Sequence, residues 1–96
     1  MPGYWIVRVE VSDADRFAEY VKQTPQLFAK YGARYLVRGG KTVSLEGPQE
    51  TRRIVVIEFP SLELAEECYR SPEYQELRQL RVGAATGEII AVAGAA

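Results

Sequence analysis

Hydrophobic and polar residues alternate in several stretches of the chain, a pattern that predicts β-strands. From Tyr4 to Val11 every odd-numbered position is apolar, whereas the even-numbered positions are mixed. A second strand is predicted from Ala33 to Arg38 and stops at Gly39-Gly40, with Lys41 to Leu45 as its extension after a bulge or turn. A third strand runs from Arg52 to Phe59. The first and third strands each present one strongly apolar face that is suited to a core.

The stretch after the first strand carries apolar residues at intervals of three and four, as the buried face of a helix requires. Ser12 or Asp13 can cap this helix, and Gly32 follows its last apolar residue as a C-terminal cap. Pro25 lies inside it and lacks the N–H that a helical hydrogen bond needs. We therefore expect a kink or a split at Pro25.

A second helix is predicted after the third strand, with Ser61 as its cap. It is interrupted at Ser71-Pro72, where the serine can cap a restarted helix and the proline suits the first turn. The inner face then continues to about Ala85. A last strand is predicted from Gly87 to Val92, and residues 94–96 form a tail that is expected to fray.

The order strand, helix, strand, strand, helix, strand predicts an α+β fold of the ferredoxin-like β-α-β-β-α-β type, formed by residues 1–96 as a single domain. Such a fold has a four-stranded antiparallel sheet with both helices on one face. The side chains expected to face the helices are apolar: Trp5, Val7, Val9, Val55, Ile57 and Phe59. The opposite face, with Ile6, Ile54, Val56 and Tyr4, is too apolar to remain in water, so we expect a second copy to cover it in a sheet-on-sheet homodimer.

Composition excludes several functional classes. Twelve basic and thirteen acidic residues give a net charge of −1, which offers no electrostatic basis for binding nucleic acid or an acidic membrane surface. No apolar run has the length of a membrane span, and the N-terminus lacks the features of a signal peptide. With Cys68 as the single cysteine, no internal disulfide can form, and a reducing cytoplasm is the expected location.

Histidine is absent from the chain. Its absence removes Ser-His and Cys-His nucleophilic pairs, histidine general bases, zinc sites that need imidazole and histidine-ligated haem. No glycine-rich phosphate loop, metal-ligand spacing or nucleotide fingerprint is present either. The sequence therefore predicts neither a metal site nor a cofactor.

Four stretches together resemble the bacterial domain-of-unknown-function-1330 family, within the dimeric α+β barrel superfamily. They are Gly3 to Ile6, Lys30 to Gly40, Val55 to Ser61, and Cys68 to Gln75 with Arg78 and Arg81 beyond. The resemblance covers nearly the whole chain in order and spacing. It implies a ferredoxin-like protomer and a dimer whose two sheets close into a barrel. It implies little chemistry, because the family has no assigned reaction, and the superfamily contains cofactor-independent monooxygenases of aromatic substrates, small-acid isomerases, haem-handling enzymes and ligand binders.

Arg38 is the first candidate for binding a ligand. It ends a strand just before Gly39-Gly40, where the backbone can approach a ligand closely. A guanidinium at that position suits a bidentate contact with a carboxylate. An ion pair with a carboxylate of the same chain is the structural alternative, and the sequence leaves both open.

Glu58 is the candidate proton carrier. It lies in a strongly apolar strand, where partial desolvation suits a carboxyl group to general acid or base chemistry. The alternative is an ion pair with Arg8 or Arg38, which strand alternation places on the same face of the sheet. The two roles are compatible if that ion pair lines a pocket.

Tyr69, Ser71 and Tyr74 lie where the second helix breaks. Phenolic and hydroxyl groups near a helix N-terminus can hold an anionic or carbonyl oxygen. The alternative is structural: Ser71 acts only as a cap and the tyrosines belong to the core. For Ser71 the capping role is favoured, and for Tyr69 the two roles are closer.

Arg78 and Arg81 follow Tyr74 at helical spacing. Arg81 is the better candidate for reaching a pocket, whereas a solvated helix face is expected for Arg78. Cys68 lies on an apolar stripe and is expected to be a buried, unreactive thiol. The remaining aromatic residues fit a core by their periodicity, and the same residues would line a pocket between helices and sheet.

Two functional hypotheses follow from the sequence. In the first, the protein is a cofactor-independent enzyme that acts on a small organic acid or an aromatic oxo-compound. Arg38 anchors an anionic group, Glu58 moves a proton and Tyr69 orients an oxygen. In the second, it is a non-catalytic dimeric module that binds a small molecule or a protein partner, as the lack of histidine and of a recognisable catalytic constellation indicates.

Overall fold

Four strands and three helices make up residues 1–95, the part of the chain that the computed structural model describes. They are β1 (Gly3–Val11), α1 (Ala14–Lys30), β2 (Arg34–Arg38), β3 (Arg53–Phe59), α2 (Leu62–Arg70), α3 (Pro72–Arg78) and β4 (Ala85–Ala93). The antiparallel sheet has the order β2-β3-β1-β4. The predicted α+β, ferredoxin-like fold is confirmed, and the predicted second helix corresponds to α2 and α3. Ala96, in the predicted tail, lies outside the described residues.

The core forms on the helix-facing side of β1 and β3, as strand alternation predicts. Trp5 is 1% exposed and pairs across the strands with Ile57, which is 3% exposed. The indole N–H of Trp5 donates to the carbonyl of Ala65 in α2 at 2.9 Å. The rings of Phe28 and Tyr74 pack edge-on against the indole, with centroids at 5.4 and 5.2 Å. One tryptophan therefore joins the central strand to all three helices.

The opposite face of the sheet carries an apolar ladder that crosses all four strands. Val37 pairs with Val56, Val56 with Ile6, and Ile6 with Ile90. The edge positions are open to solvent, since Ile90 is 56% exposed and Val37 is 40% exposed. This outer face has the apolar character that the sequence predicts.

Pro25 does not split α1, contrary to one of the two outcomes expected from the sequence. The proline leaves the carbonyl of Val21, four residues earlier, without its helical donor. The hydroxyl of Thr24 donates to that carbonyl at 2.9 Å. The proton of Thr24 is thereby used, so the Tyr35 hydroxyl donates to Thr24 Oγ1, at 2.5 Å. Thr24 is fully buried and ties α1 to β2 at the point where the helix lacks a backbone bond.

The helix ends follow local capping chemistry. Asp13 caps α1 by accepting from the backbone N–H of Arg16 at 3.2 Å, whereas the Ser12 hydroxyl donates to the carbonyl of Ala84 at 3.0 Å. Gly32 ends α1 with φ of 68°, a conformation that favours glycine. None of the helices within residues 1–95 is long and apolar enough to cross a bilayer.

The helix α3 ends earlier in the chain than the sequence predicts, which was at about Ala85. The helix ends at Arg78, and turns rather than a helix lead to β4. Gly83, with φ of 84°, reverses the backbone in this segment. Ala84, which follows it, is fully buried and accepts from the backbone N–H groups of Ser12 and Asp13. Buried apolar residues in this connection produced the helix-like pattern.

The connection between β2 and β3 also differs from the prediction. Lys41 to Leu45 do not extend β2, and within residues 1–95 they pair with no strand. Val43 and Leu45 are 70% and 92% exposed, so their apolar character does not indicate burial. The bulge lies earlier, between Tyr35 and Val37, where the register with β3 shifts by one residue.

A substitution at Thr24 tests the support for the proline-containing helix. Thr24→Val preserves shape but leaves the Val21 carbonyl and the Tyr35 hydroxyl without their partner, so we expect the free energy of unfolding to fall by about 1–3 kcal/mol. Urea denaturation measures the change. Thr42→Val, in the exposed loop, is the matched control and should have little effect. Equal stabilities for the two variants would contradict this role of Thr24.

Candidate functional site

A cavity of about 50 Å³ lies between the helices and the helix-facing side of the sheet. Its walls are mainly aromatic and aliphatic, and the charged residues in the lining are Arg8, Arg53, Arg81 and Glu88. Arg8 pairs with Glu50 and Glu88 with Arg52, which leaves the guanidinium groups of Arg53 and Arg81 to face the cavity without an ion-pair partner among residues 1–95. The aromatic residues in the lining include Trp5, Phe17, Tyr20, Phe28 and Tyr35. Residues that the sequence identifies as core therefore also line the cavity, and cationic groups border this apolar enclosure.

Arg81 is fixed at the cavity by two tyrosines. Its Nη2 donates to the hydroxyl of Tyr74 at 3.2 Å, and its guanidinium carbon lies 5.4 Å from the ring centroid of Tyr20. The hydroxyls of Tyr20 and Tyr74 are hydrogen-bonded at 2.8 Å. Tyr74 is fully buried and does not line the cavity itself, so it acts as the support that holds Tyr20 and Arg81 in place. The binding role predicted for Arg81 is compatible with this position.

The tyrosines at the cavity are hydrogen-bond donors rather than bases. Burial, followed by the neighbouring Tyr74 phenol, raises the pKa of Tyr20 far above its ordinary value. Burial also raises the pKa of Tyr35. Both phenols are therefore protonated at neutral pH. The Tyr35 proton is used in the bond to Thr24, so Tyr20 is the phenol that can donate to an anionic oxygen.

Arg53 was not singled out from the sequence, although strand alternation places it on the same face as Val55 and Ile57. It lies at the border of the cavity, with its guanidinium carbon 6.0 Å from the ring centroid of Phe17. Its Nε is buried and has no hydrogen-bond partner within residues 1–95. Gly39 makes room for it, because a Cβ at that position would collide with the guanidinium. A buried N–H without a partner is costly, and Arg53 carries this cost at the border of the cavity.

Arg38 lies on the helix-facing side because of the bulge in β2. Without the bulge, regular alternation would place it on the face of Glu58, as the sequence suggested. The extra residue pairs Arg38 with Val55 instead, and the guanidinium stacks over the Tyr35 ring with its carbon 4.5 Å from the centroid. Within residues 1–95, Arg38 joins none of the ion pairs. It is largely exposed and lies beside the cavity rather than in its lining.

Glu58 is on the opposite side of the sheet from the cavity. Its neighbours along β3 face the core, so its own side chain faces outward. The expected ion pair forms, but with neither Arg8 nor Arg38: Arg34 Nε lies 3.0 Å from Glu58 Oε1. The Tyr4 hydroxyl donates to the other carboxylate oxygen at 3.4 Å. The structure thus separates Glu58 from the other predicted site residues.

Tyr69 and Ser71 have structural contacts at the junction of α2 and α3. The Tyr69 ring packs 5.3 Å from that of Tyr74 and 5.8 Å from that of Trp5. The Ser71 hydroxyl accepts from the backbone N–H of Tyr74 at 3.1 Å and donates to the Cys68 carbonyl at 2.7 Å. Ser71 is therefore used as a cap, whereas Tyr69 contributes to the aromatic cluster behind the cavity.

Two further expectations concern Cys68 and Arg78. Cys68 is fully buried, and burial raises the pKa of its thiol to about 12, which agrees with an unreactive cysteine.

The side chain of Arg78 is less exposed to solvent than the sequence predicts. It is half-buried, and its Nε is buried without a hydrogen-bond partner in residues 1–95.

The buried phenol of Tyr20 predicts a pH dependence of stability. Its pKa is raised on folding, so the stability it contributes is present below the ordinary value of 10.0 and declines as the pH rises above it. Tyr20→Phe should therefore reduce the loss of unfolding free energy above pH 10, by up to about 1.4 kcal/mol per pH unit. Denaturation at a series of pH values measures this. Parallel curves for wild type and variant above pH 10 would contradict it, whereas parallel curves between pH 7 and 9 are the internal control.

Comparison with solved structures shows the same fold in proteins of low sequence identity. RPA0582, a protein of unknown function from Rhodopseudomonas palustris, is 23% identical with a TM-score of 0.77, over 99% of this chain and 83% of that one. SnoaB, a cofactor-independent oxygenase from Streptomyces nogalater, is 11% identical with a TM-score of 0.69, over 99% and 94%. A dimeric ferredoxin-like protein of unknown function from Bacteroides fragilis is 17% identical with a TM-score of 0.63, over 97% and 96%.

Comparison with protein families agrees with the resemblance seen in the sequence. No curated protein matches the chain. The model of the family described as Domain of unknown function (DUF1330) matches residues 2–95, which is nearly the whole chain. The protein therefore belongs to the DUF1330 family.

Proposed function

We propose that this protein is a cofactor-independent enzyme that acts on a small organic acid or an aromatic oxo-compound, whose anionic group binds in the cavity. The observation that supports the proposal most directly is the position of Arg81. Its guanidinium is held by Tyr74 and Tyr20 at the edge of an aromatic cavity. A charge fixed in such surroundings interacts with an anion more strongly than the same charge in water.

Arg81 and Arg53 would stabilise the negative charge of the ligand, and Tyr20 would donate a hydrogen bond to it. Glu88 also borders the cavity, but its carboxylate is 69% exposed and lies 2.5 Å from Arg52. Among the described lining residues, no carboxylate therefore remains to neutralise the arginines inside. This charge balance favours a ligand with at least one negative charge.

Catalysis would rest on stabilisation of charge by the arginines and not on a protein base. Glu58 lies on the other face of the sheet, and the chain has no histidine. Nearby cations lower the pKa of a hydroxyl or an enolisable carbon in a bound substrate, so a readily ionised substrate would need no strong base from the protein. SnoaB, which shares the fold, is described as a cofactor-independent oxygenase, and this supports the same class of chemistry here.

A non-catalytic binding function is the second candidate. It is favoured by the same lack of a carboxylate or imidazole in the cavity, since binding an anion requires only the arginines and phenols. The two candidates share the ligand site and differ only in turnover, so one set of variants addresses both.

Removal of the Arg81 guanidinium tests the site. With salicylate and phenylpyruvate as probes, Arg81→Gln should weaken binding by about 10- to 100-fold, because a charge-assisted hydrogen bond is worth about 1.5–3 kcal/mol. Titration calorimetry measures the affinity, and urea denaturation confirms that each variant is folded. Arg70→Gln is the matched control, because Arg70 is exposed and its ion pair in the described part of the chain is with Glu66. Arg53→Gln provides a second variant if Arg81→Gln does not fold.

Turnover separates the two candidate functions. Oxygen uptake with phenylpyruvate that is lost in Arg81→Gln would support the enzyme, whereas binding without turnover of either probe would favour the binding module. If neither probe binds wild-type protein at millimolar concentration, or if Arg81→Gln binds as well as Arg70→Gln, the proposed site is wrong.

Two copies are proposed to pair through the outer faces of their sheets. The apolar ladder from Val37 to Ile90 supports this arrangement, since exposed apolar surface of this extent marks an interaction site. The ferredoxin-like protein from Bacteroides fragilis is described as dimeric. Charged residues flank the ladder: Arg34 with Glu58 on one side, and Arg8 with Glu50 on the other. They would form a polar rim around an apolar centre.

A charge in the apolar ladder tests the dimer. Ile90→Glu should convert a dimer to a monomer, because the carboxylate would be buried without a partner in the interface. Light scattering after size exclusion, at micromolar protein concentration, measures the mass. Val82→Glu is the matched control, since Val82 is 47% exposed and lies in the turn that precedes β4. A monomeric wild type, or an Ile90→Glu variant that remains dimeric, would refute this pairing.

A further inference from the structure

The cavity is too small to enclose an organic ligand. Its volume is about 50 Å³. Sites that enclose whole organic ligands have volumes of about 300–1,000 Å³. The enclosed space therefore accommodates the head group of a ligand, such as a carboxylate or an enolate, and the remainder of the ligand has to lie elsewhere.

A groove of about 510 Å³ along the first half of α1 adjoins the cavity. Phe17, Val21 and Arg53 line both spaces, so the groove begins where the cavity ends. The other lining residues of the groove are Val11, Ala14, Ala18 and Lys22. The groove is therefore an apolar continuation of the cavity with ample room for the body of a ligand.

The groove shares one charged lining residue, Arg53, with the cavity. Of the described residues that line it, Lys22 and Arg53 are charged, and both are basic. Lys22 lies 3.7 Å from Glu19 in an exposed pair, whereas the Nε of Arg53 is buried and has no partner in residues 1–95. Arg53 thus places a guanidinium at the junction of a cationic cavity and an apolar groove.

From this arrangement we infer that the ligand is an amphipathic organic acid. Its anionic head enters the cavity between Arg53 and Arg81, and its elongated apolar body lies in the groove along α1. The inference rests on the proposed function for the head group and adds the chemical class of the rest of the molecule.

A series of linear carboxylates from butanoate to octanoate tests the inference. Each added methylene should increase the affinity about two- to fourfold as it enters the groove. Ala18→Gln places a polar side chain in the groove at an exposed helical position and should weaken octanoate binding about tenfold, with butanoate little affected. Ala29→Gln makes the same change at an exposed position of α1 outside the groove, and it should bind like wild type.

The outcomes distinguish this inference from the proposed function. If all the carboxylates bind equally, or if Ala18→Gln behaves like Ala29→Gln, the groove is not part of the site, although binding that depends on Arg81 would still support the proposed function. If salicylate or phenylpyruvate binds but no linear carboxylate does, the inference is likewise overturned. A chain-length dependence that Ala18→Gln removes and Ala29→Gln retains would establish it.

Discussion

The burial of Trp5 is the constraint on which the rest of the structure depends. The indole fixes α2 through a hydrogen bond to Ala65 and contacts α1 and α3 through aromatic rings, so all three helices lie on one face of the sheet. Tyr74, packed against Trp5, in turn positions Tyr20 and Arg81. The candidate site is therefore a direct extension of the core, and its polar groups are held by the same packing that holds the fold. Aromatic rings of this size contribute large buried areas, which makes such an arrangement rigid.

The two faces of the sheet have different chemistry. On the helix-facing side, arginines meet phenols and aromatic rings, and no carboxylate of the described residues points into the cavity. On the outer side, arginines meet carboxylates in ion pairs, as Arg34 with Glu58 and Arg8 with Glu50 show. The net charge of the chain is near zero, but its charges are unevenly distributed: arginines without a carboxylate partner lie at the cavity, whereas ion pairs lie on the outer face. This separation, and not the net charge, supports anion binding.

Most of the fold was predictable because its signals are local. Alternation identified the core faces of β1 and β3, and serine, aspartate and glycine marked helix ends where capping chemistry requires them. The site was only partly predictable, since its geometry depends on contacts between distant residues. Arg81 was a candidate because of its helical spacing and Tyr74 because of the helix break at Ser71-Pro72, but the bulge that turns Arg38 toward the helices leaves no clear mark in the sequence. Arg53 had a usable signal, because a charged residue on an otherwise core-facing side of a strand has an unusual position.

The bulge in β2 also affects how the relatives of this protein are compared. In a regular strand, Arg34 and Arg38 would lie on the same face, because their numbers differ by four. The bulge between them places Arg34 on the outer face and Arg38 on the helix-facing side. A homologue that lacks the extra residue would carry the arginine corresponding to Arg38 on the outer face, with the same composition and an almost identical alignment. Insertions and deletions of a single residue in this short edge strand can therefore exchange a cavity-side cation for an outer-face cation, and sequence identity would not reveal the exchange.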